Sequence, residues 1–188
     1  MIKKKIIFFG DSLSAGYGLQ QPYLEALPAL IGQKILAAAL PYVVINAGVS
    51  GDTTRSAKAR VDELLFGDID LFIIELGAND FLRAYSPSEI SGNIKEIIKK
   101  VRSYKSDIKI LLLGLSLPLW IPDNFGSRYT GLFSLLAKET GTGLIEDFLQ
   151  GVSGNNSLNM SDGVHPLAEG YKIAAENIWP EVYNILKS

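Results

Sequence analysis

Five short apolar runs, at residues 6–9, 43–46, 71–75, 108–113 and, more weakly, 143–145, are separated by longer stretches of helical character. Their near-continuous apolar character is what strands covered on both faces require, because a strand with one wet face reads as alternation of apolar and polar residues. Buried runs alternating with helices specify an α/β chain. The expected architecture is a three-layer α/β/α sandwich around a central five-stranded parallel sheet. Ligands of such sheets bind beyond the carboxyl ends of the strands.

The clearest helix start is Ser86-Pro87-Ser88-Glu89, with a capping serine, proline at the first helical position and glutamate for a capping box. Ile90, Ile94, Ile97, Ile98 and Val101 then keep to one face. The last helix is expected to open at Pro166 and to bury Tyr171, Ala174, Ile178, Val182 and Ile185. No repeat, low-complexity tract or linker interrupts the chain, so residues 1–188 are expected to form one domain. With 47% apolar residues it is long enough to bury a core without disulfides or a metal.

Composition narrows the chemistry. There is no cysteine and one histidine, which removes disulfide frameworks, thiol catalysis, cysteine zinc sites and multi-histidine metal centres. Neither metal nor cofactor is expected. Net charge is -2, and Lys3-Lys4-Lys5, the only dense basic run, reads as a solvated lead-in to the first strand. No nucleic-acid partner is expected. The apolar stretch 110–122 is broken by Gly114 and Pro118, so no stable membrane insertion is expected. The run after Lys5 is too short for a signal peptide core. The expectation is a soluble protein, monomeric or weakly dimeric, cytoplasmic as the chain stands and periplasmic or secreted if a leader was removed.

The single histidine, His165, lies in Ser161-Asp162-Gly163-Val164-His165-Pro166, three residues after an aspartate. Serine is a poor nucleophile until a base takes its proton, and the base works best when a carboxylate fixes its tautomer. His165 and Asp162 can supply both from one turn. The candidate nucleophile is Ser12, in Gly10-Asp11-Ser12-Leu13, where the first strand empties onto the rim. The next two strand ends carry Asn46-Ala47-Gly48-Val49-Ser50-Gly51-Asp52 and Gly77-Ala78-Asn79-Asp80. An oxyanion hole needs donors aimed at the oxygen that becomes negative as serine attacks. The backbone N–H groups of Ser12 and Gly48 and the side-chain amide of Asn79 are the expected three. Taken singly each motif also fits an ordinary loop: a strand-to-helix turn at Ser12, a helix-start histidine at His165.

Together these blocks resemble the SGNH hydrolases, also called the GDSL esterase family, whose four signature segments appear here in order as Gly10-Asp11-Ser12-Leu13, Asn46-Ala47-Gly48, Gly77-Ala78-Asn79-Asp80 and Asp162-Gly163-Val164-His165-Pro166. The extended stretches at 10–19, 46–53 and 124–129 are similar to the bacterial arylesterase, thioesterase and lysophospholipase subgroup. The resemblance implies a flavodoxin-like sandwich, Ser12 as nucleophile, Ser12, Gly48 and Asn79 as oxyanion donors, and Asp162 with His165 completing a triad. It also implies a small-molecule acyl ester or thioester substrate. Phe81, Leu82, Trp120 and Pro122 occupy segments that depart from the subgroup's pattern and are candidate substrate contacts. Arg83 and Arg128 read as solvated charge or local ion pairs.

Two other readings compete. A carbohydrate O-acetyl esterase would use the same triad, against which the aliphatic and aromatic loop residues weigh. A non-catalytic nucleotide-binding module is disfavoured because Gly16-Tyr17-Gly18 lacks a third glycine and no Gly-Lys-Ser or Gly-Lys-Thr is present.

Overall fold

The computed structural model describes residues 4–115 and 129–188. Five strands, β1 (Lys4–Gly10), β2 (Tyr42–Asn46), β3 (Ile69–Glu75), β4 (Lys109–Leu113) and β5 (Gly143–Ile145), form one sheet in the order β2-β1-β3-β4-β5. Every pairing is parallel, with Ile7 opposite both Ile45 and Phe72.

Successive side chains of each central strand enter opposite cores, which is why the sequence shows unbroken apolar runs. Ile6, Phe8, Leu71, Ile73, Leu111 and Leu113 pack on one side, where α3 (Leu27–Ala37) brings Ile31 and Ile35. The final helix, α8 (Ala168–Lys187), covers the same face with Tyr171, Ala174, Ile178 and Val182. On the other side Ile7, Phe9, Phe72, Ile74, Ile110 and Leu112 meet α4 (Thr54–Arg60), α6 (Pro87–Tyr104) and α7 (Leu132–Thr140). The short helices α1 (Ser12–Ala15), α2 (Pro22–Glu25) and α5 (Ala78–Leu82) lie in connections. This is the expected three-layer α/β sandwich.

α6 begins as its sequence demands: the Ser86 hydroxyl accepts the Glu89 N–H at 3.2 Å, and Pro87 occupies the first turn. α8 starts two residues later than expected. Pro166 forms an antiparallel bridge with Asn159, and Leu167 donates its N–H to the Leu158 carbonyl at 2.7 Å, so the chain at His165 stays in a bend ahead of the helix. His165 therefore sits on a braced loop rather than inside a helix. Of the expected apolar stripe, Ile185 alone is only partly buried.

The strand order reverses between β1 and β3, which opens a crevice above their carboxyl ends. Gly10, Asp11 and Ser12 leave β1 at that point. Among the described residues no helix is long and apolar enough to cross a membrane.

Candidate active site

Ser12 opens α1, directly after Asp11, whose side chain caps the helix by accepting the Leu13 N–H at 3.0 Å. The turn is held from below by a buried glutamate. Glu75 Oε2, at the end of β3, accepts the Ser14 hydroxyl at 2.8 Å, the Ser14 N–H at 3.1 Å and the Asp11 N–H at 3.3 Å. Burial first, and then the Asp11 charge, push the Glu75 carboxyl well above its ordinary range. Three donors on one oxygen fix where the serine stands.

His165 reaches Ser12 from the far end of the chain: His165 Nε2 lies 2.8 Å from Ser12 Oγ. Its other nitrogen, Nδ1, lies 2.7 Å from Asp162 Oδ2. Asp162 is oriented by its own turn, for Oδ1 accepts the N–H groups of Val164 at 2.9 Å and His165 at 3.0 Å. Burial opposes its ionisation, but those backbone bonds and the imidazole outweigh it and hold the carboxyl below its ordinary value. The ring of Tyr17 lies across the imidazole, with centroids 4.7 Å apart. A carboxylate, an imidazole and a hydroxyl joined in this order can draw the hydroxyl proton onto the imidazole.

The expected oxyanion donors fare unequally. The Ser12 N–H has no partner among the described residues. The Gly48 N–H is already given to Asn46 Oδ1 at 2.9 Å, and its Cα is pressed against the nucleophile turn, where a Cβ would come within 2.4 Å of Ala15 N. Gly48 is thus a packing glycine that lets the ends of β1 and β2 touch, and the structure does not offer it as a donor. Three residues on, Gly51 sits exposed in a turn at φ +84°, and its N–H has no partner among the described residues. That turn adjoins Asn79, whose Nδ2 donates to the Asp52 carbonyl at 2.9 Å and to Asp11 Oδ2 at 3.0 Å.

Two further residues brace these loops. Arg60 bonds Asp52 Oδ2 at 2.6 Å, the Ala47 carbonyl at 2.9 Å and the Gly10 carbonyl at 3.2 Å, tying three rim segments together. Asp80 accepts the Thr54 N–H at 2.8 Å and its hydroxyl at 2.5 Å, fastening α5 to α4. Arg83, read from sequence as solvated or locally paired, is exposed and donates to the Gly51 carbonyl at 3.1 Å.

Next to the His165 loop, a cleft runs between Val164 and the start of α7. Its walls include Gly77, Phe81, Leu82, Tyr129 and Phe133. Phe81 stands edge-on to Tyr129, with centroids 4.8 Å apart. Phe81 and Leu82, the expected substrate contacts, both line this cleft, whereas Trp120, Pro122 and Arg128 fall outside the described residues. Among the described residues no cluster of histidine, aspartate and glutamate is arranged to hold a metal.

A serine, an imidazole and a carboxylate linked at the switch point of a parallel sheet define a serine hydrolase on a doubly wound α/β scaffold. The model of the GDSL-like lipase/acylhydrolase family matches residues 8–173, and the chain belongs to that family. It is 34% identical to esterase TesA of Pseudomonas aeruginosa, over 96% of this chain and 89% of the relative. Identity to an arylesterase of Vibrio mimicus is also 34%, over 95% and 88%. Thioesterase 1/protease 1/lysophospholipase L1 of Escherichia coli K12 is 31% identical, over 91% and 79%. The crystal structure of TesA superposes with a TM-score of 0.90 at 31% identity, over 97% of this chain and 99% of that one. The enzyme is a carboxylic ester hydrolase.

Proposed function

We propose that the chain hydrolyses aryl and short to medium acyl esters through an acyl-enzyme on Ser12. The observation that carries this reading is the linked geometry, 2.8 Å from Ser12 Oγ to His165 Nε2 and 2.7 Å from His165 Nδ1 to Asp162. Ser12 Oγ attacks the ester carbonyl carbon while His165 Nε2 takes the hydroxyl proton. The carbonyl oxygen becomes an oxyanion facing the Ser12 N–H, the Gly51 N–H and the Asn79 amide, with Gly51 taking the role first assigned to Gly48. As the carbon–oxygen bond of the leaving group breaks, His165 returns the proton to it, leaving Ser12 acylated. Water then attacks the acyl carbon, His165 accepts its proton, and collapse releases the acid and restores Ser12. Asp162, which stays ionised, keeps Nδ1 protonated throughout.

The apolar cleft supports an alkyl or aryl acyl group, because its walls offer aliphatic and aromatic surface and few polar partners for a sugar. The names of the relatives extend the proposal to thioesters and lysophospholipids, whose acyl carbons are attacked in the same way. The test is hydrolysis of p-nitrophenyl esters from acetyl to dodecanoyl, with the Ser12→Ala protein as blank. Turnover that vanishes with Ser12 or with His165 supports the reading. Turnover that survives either alanine substitution overturns it, and activity confined to sugar acetates favours the carbohydrate esterase.

A further inference from the structure

Both hydrogens of the Asn79 amide are in use, one on Asp11 Oδ2 at 3.0 Å and one on the Asp52 carbonyl at 2.9 Å. An amide nitrogen has only two to give. If Asn79 is to meet an oxyanion, one of these bonds must yield. They are unequal, because a hydrogen bond to a carboxylate is roughly twice as strong as one to a neutral carbonyl. The bond to Asp52 therefore yields first. We infer that Asp11 is a positioning residue whose ionised carboxylate grips one Asn79 hydrogen and so aims the other at the substrate oxygen. This inference rests on the proposed oxyanion role of Asn79.

The grip is built to be rigid. Asp11 is fully buried, and its second oxygen is fixed by the Leu13 N–H at 3.0 Å. Its backbone N–H is bound in turn by Glu75. The carboxylate cannot turn away without abandoning the helix cap next to the nucleophile. Asp11 thus couples the serine's backbone to the amide that receives the substrate oxygen.

The charges around Asp11 decide when it is ionised. Glu75 faces it from β3, Asp52 paired with Arg60 from the turn before α4 and from α4 itself, His165 with Asp162 from the loop before α8, and Tyr171 from α8. Burial dominates and pushes the Asp11 carboxyl up to about 6, against the Leu13 bond, the His165 charge and the Asn79 bond. Above that pH the carboxylate accepts from Asn79. Below it, a proton on Oδ2 would face the amide hydrogens and release them. Acid therefore weakens the site through Asp11.

The experiment compares Asp11→Asn, Asn79→Ala and the double variant on p-nitrophenyl butyrate. An asparagine at position 11 has one acceptor oxygen where aspartate has two, so it cannot serve Leu13 and Asn79 together. The expected result is a fall in kcat of about 10²-fold with KM changed less than about threefold, the pattern of a lost transition-state contact. The double variant should be no slower than Asn79→Ala, because Asp11 acts through Asn79. The acid limb of kcat should lose one ionisation in Asp11→Asn. A second readout does not depend on that variant folding: in His165→Ala protein, the Asn79 side-chain NH₂ resonance should titrate with a midpoint near 6 or somewhat above, since the imidazolium charge is gone. Wild-type kcat in Asp11→Asn, multiplicative losses in the double variant, or an Asn79 resonance that stays fixed between pH 5 and 8 would overturn the inference. Full turnover in Asn79→Ala, by contrast, would overturn the proposed oxyanion hole itself, and this inference with it.

Discussion

Gly48→Ala is the substitution on which the packing account of the rim can fail most visibly. A Cβ there would lie 2.4 Å from Ala15 N and 2.8 Å from both the Asp11 carbonyl oxygen and Ser14 C, whereas ordinary van der Waals contact begins at 3.4 Å. The atoms it meets are backbone, held by the Glu75 bonds below. Relief requires the β2 end and the nucleophile turn to separate by about 1 Å, the shortfall at Ala15 N. That motion strains the bonds from Asn46 Nδ2 to the Ser14 carbonyl, 2.8 Å, and from the Val49 N–H to the Gly10 carbonyl, 3.0 Å. Two hydrogen bonds at about 1 kcal/mol each, added to an overpacking cost of about 1–3 kcal/mol, give a loss of about 3–5 kcal/mol. A displacement of about 1 Å between Ser12 and His165 is worth on the order of 10² in kcat. The control is Gly51→Ala, where no atom lies within 4 Å of the new Cβ and only the φ of +84° is strained, at about 1–2 kcal/mol. Urea unfolding followed by tryptophan fluorescence, with p-nitrophenyl butyrate turnover on the same samples, measures both effects. A Gly48→Ala protein within about 0.5 kcal/mol and threefold of the wild type would refute the reasoning.

Two other outcomes follow from the site. Removing the Phe133 ring, which lines the cleft proposed for the acyl group and whose tip would lie 3.2 Å from a Cβ on Gly77, lengthens that cleft. Phe133→Ala should raise the kcat/KM ratio of octanoyl to hexanoyl p-nitrophenyl ester by roughly 15-fold, from about 0.8 kcal/mol for each of two further methylenes leaving water; an unchanged ratio contradicts this use of the cleft. Burial raises the Asp11 carboxyl from 3.8 to about 6, so between those values the folded chain binds more protons than the unfolded one and stability falls as pH rises. The cost at pH 7 is about 3 kcal/mol. Asp11→Asn, which does not titrate, should therefore gain about that much relative to wild type between pH 3 and 7, and parallel stability curves by urea denaturation would contradict it.

The strands were legible because burial on both faces leaves a one-dimensional trace: the apolar run at 71–75 lies inside β3 (Ile69–Glu75), and β5 coincides with its three-residue signal. Asp162 and His165 were legible because three-residue spacing is local. Gly48 was misread because its segment holds two glycines, and only the approach of the β1 and β2 ends shows which is packed and which is turned outward. Glu75 has a trace of its own, an acid closing the otherwise apolar run at 71–75. The late start of α8 depends on a bridge between Asn159 and Pro166, which no helical periodicity records. Arg60 and Tyr17 had no such trace, since Arg60 binds the Gly10 carbonyl fifty residues away and Tyr17 rests on a ring from the opposite end of the chain.

Ser12 and His165 are 153 positions apart, and the loop that carries His165 leads directly into α8, which packs on α3. A folding chain that has built the β1–β2–β3 platform and its serine, with α8 undocked, therefore lacks the base proposed for Ser12. On the proposed mechanism, ester cleavage requires α8 to dock against α3. Release of p-nitrophenol during refolding would time that docking event directly, with no label attached to the protein.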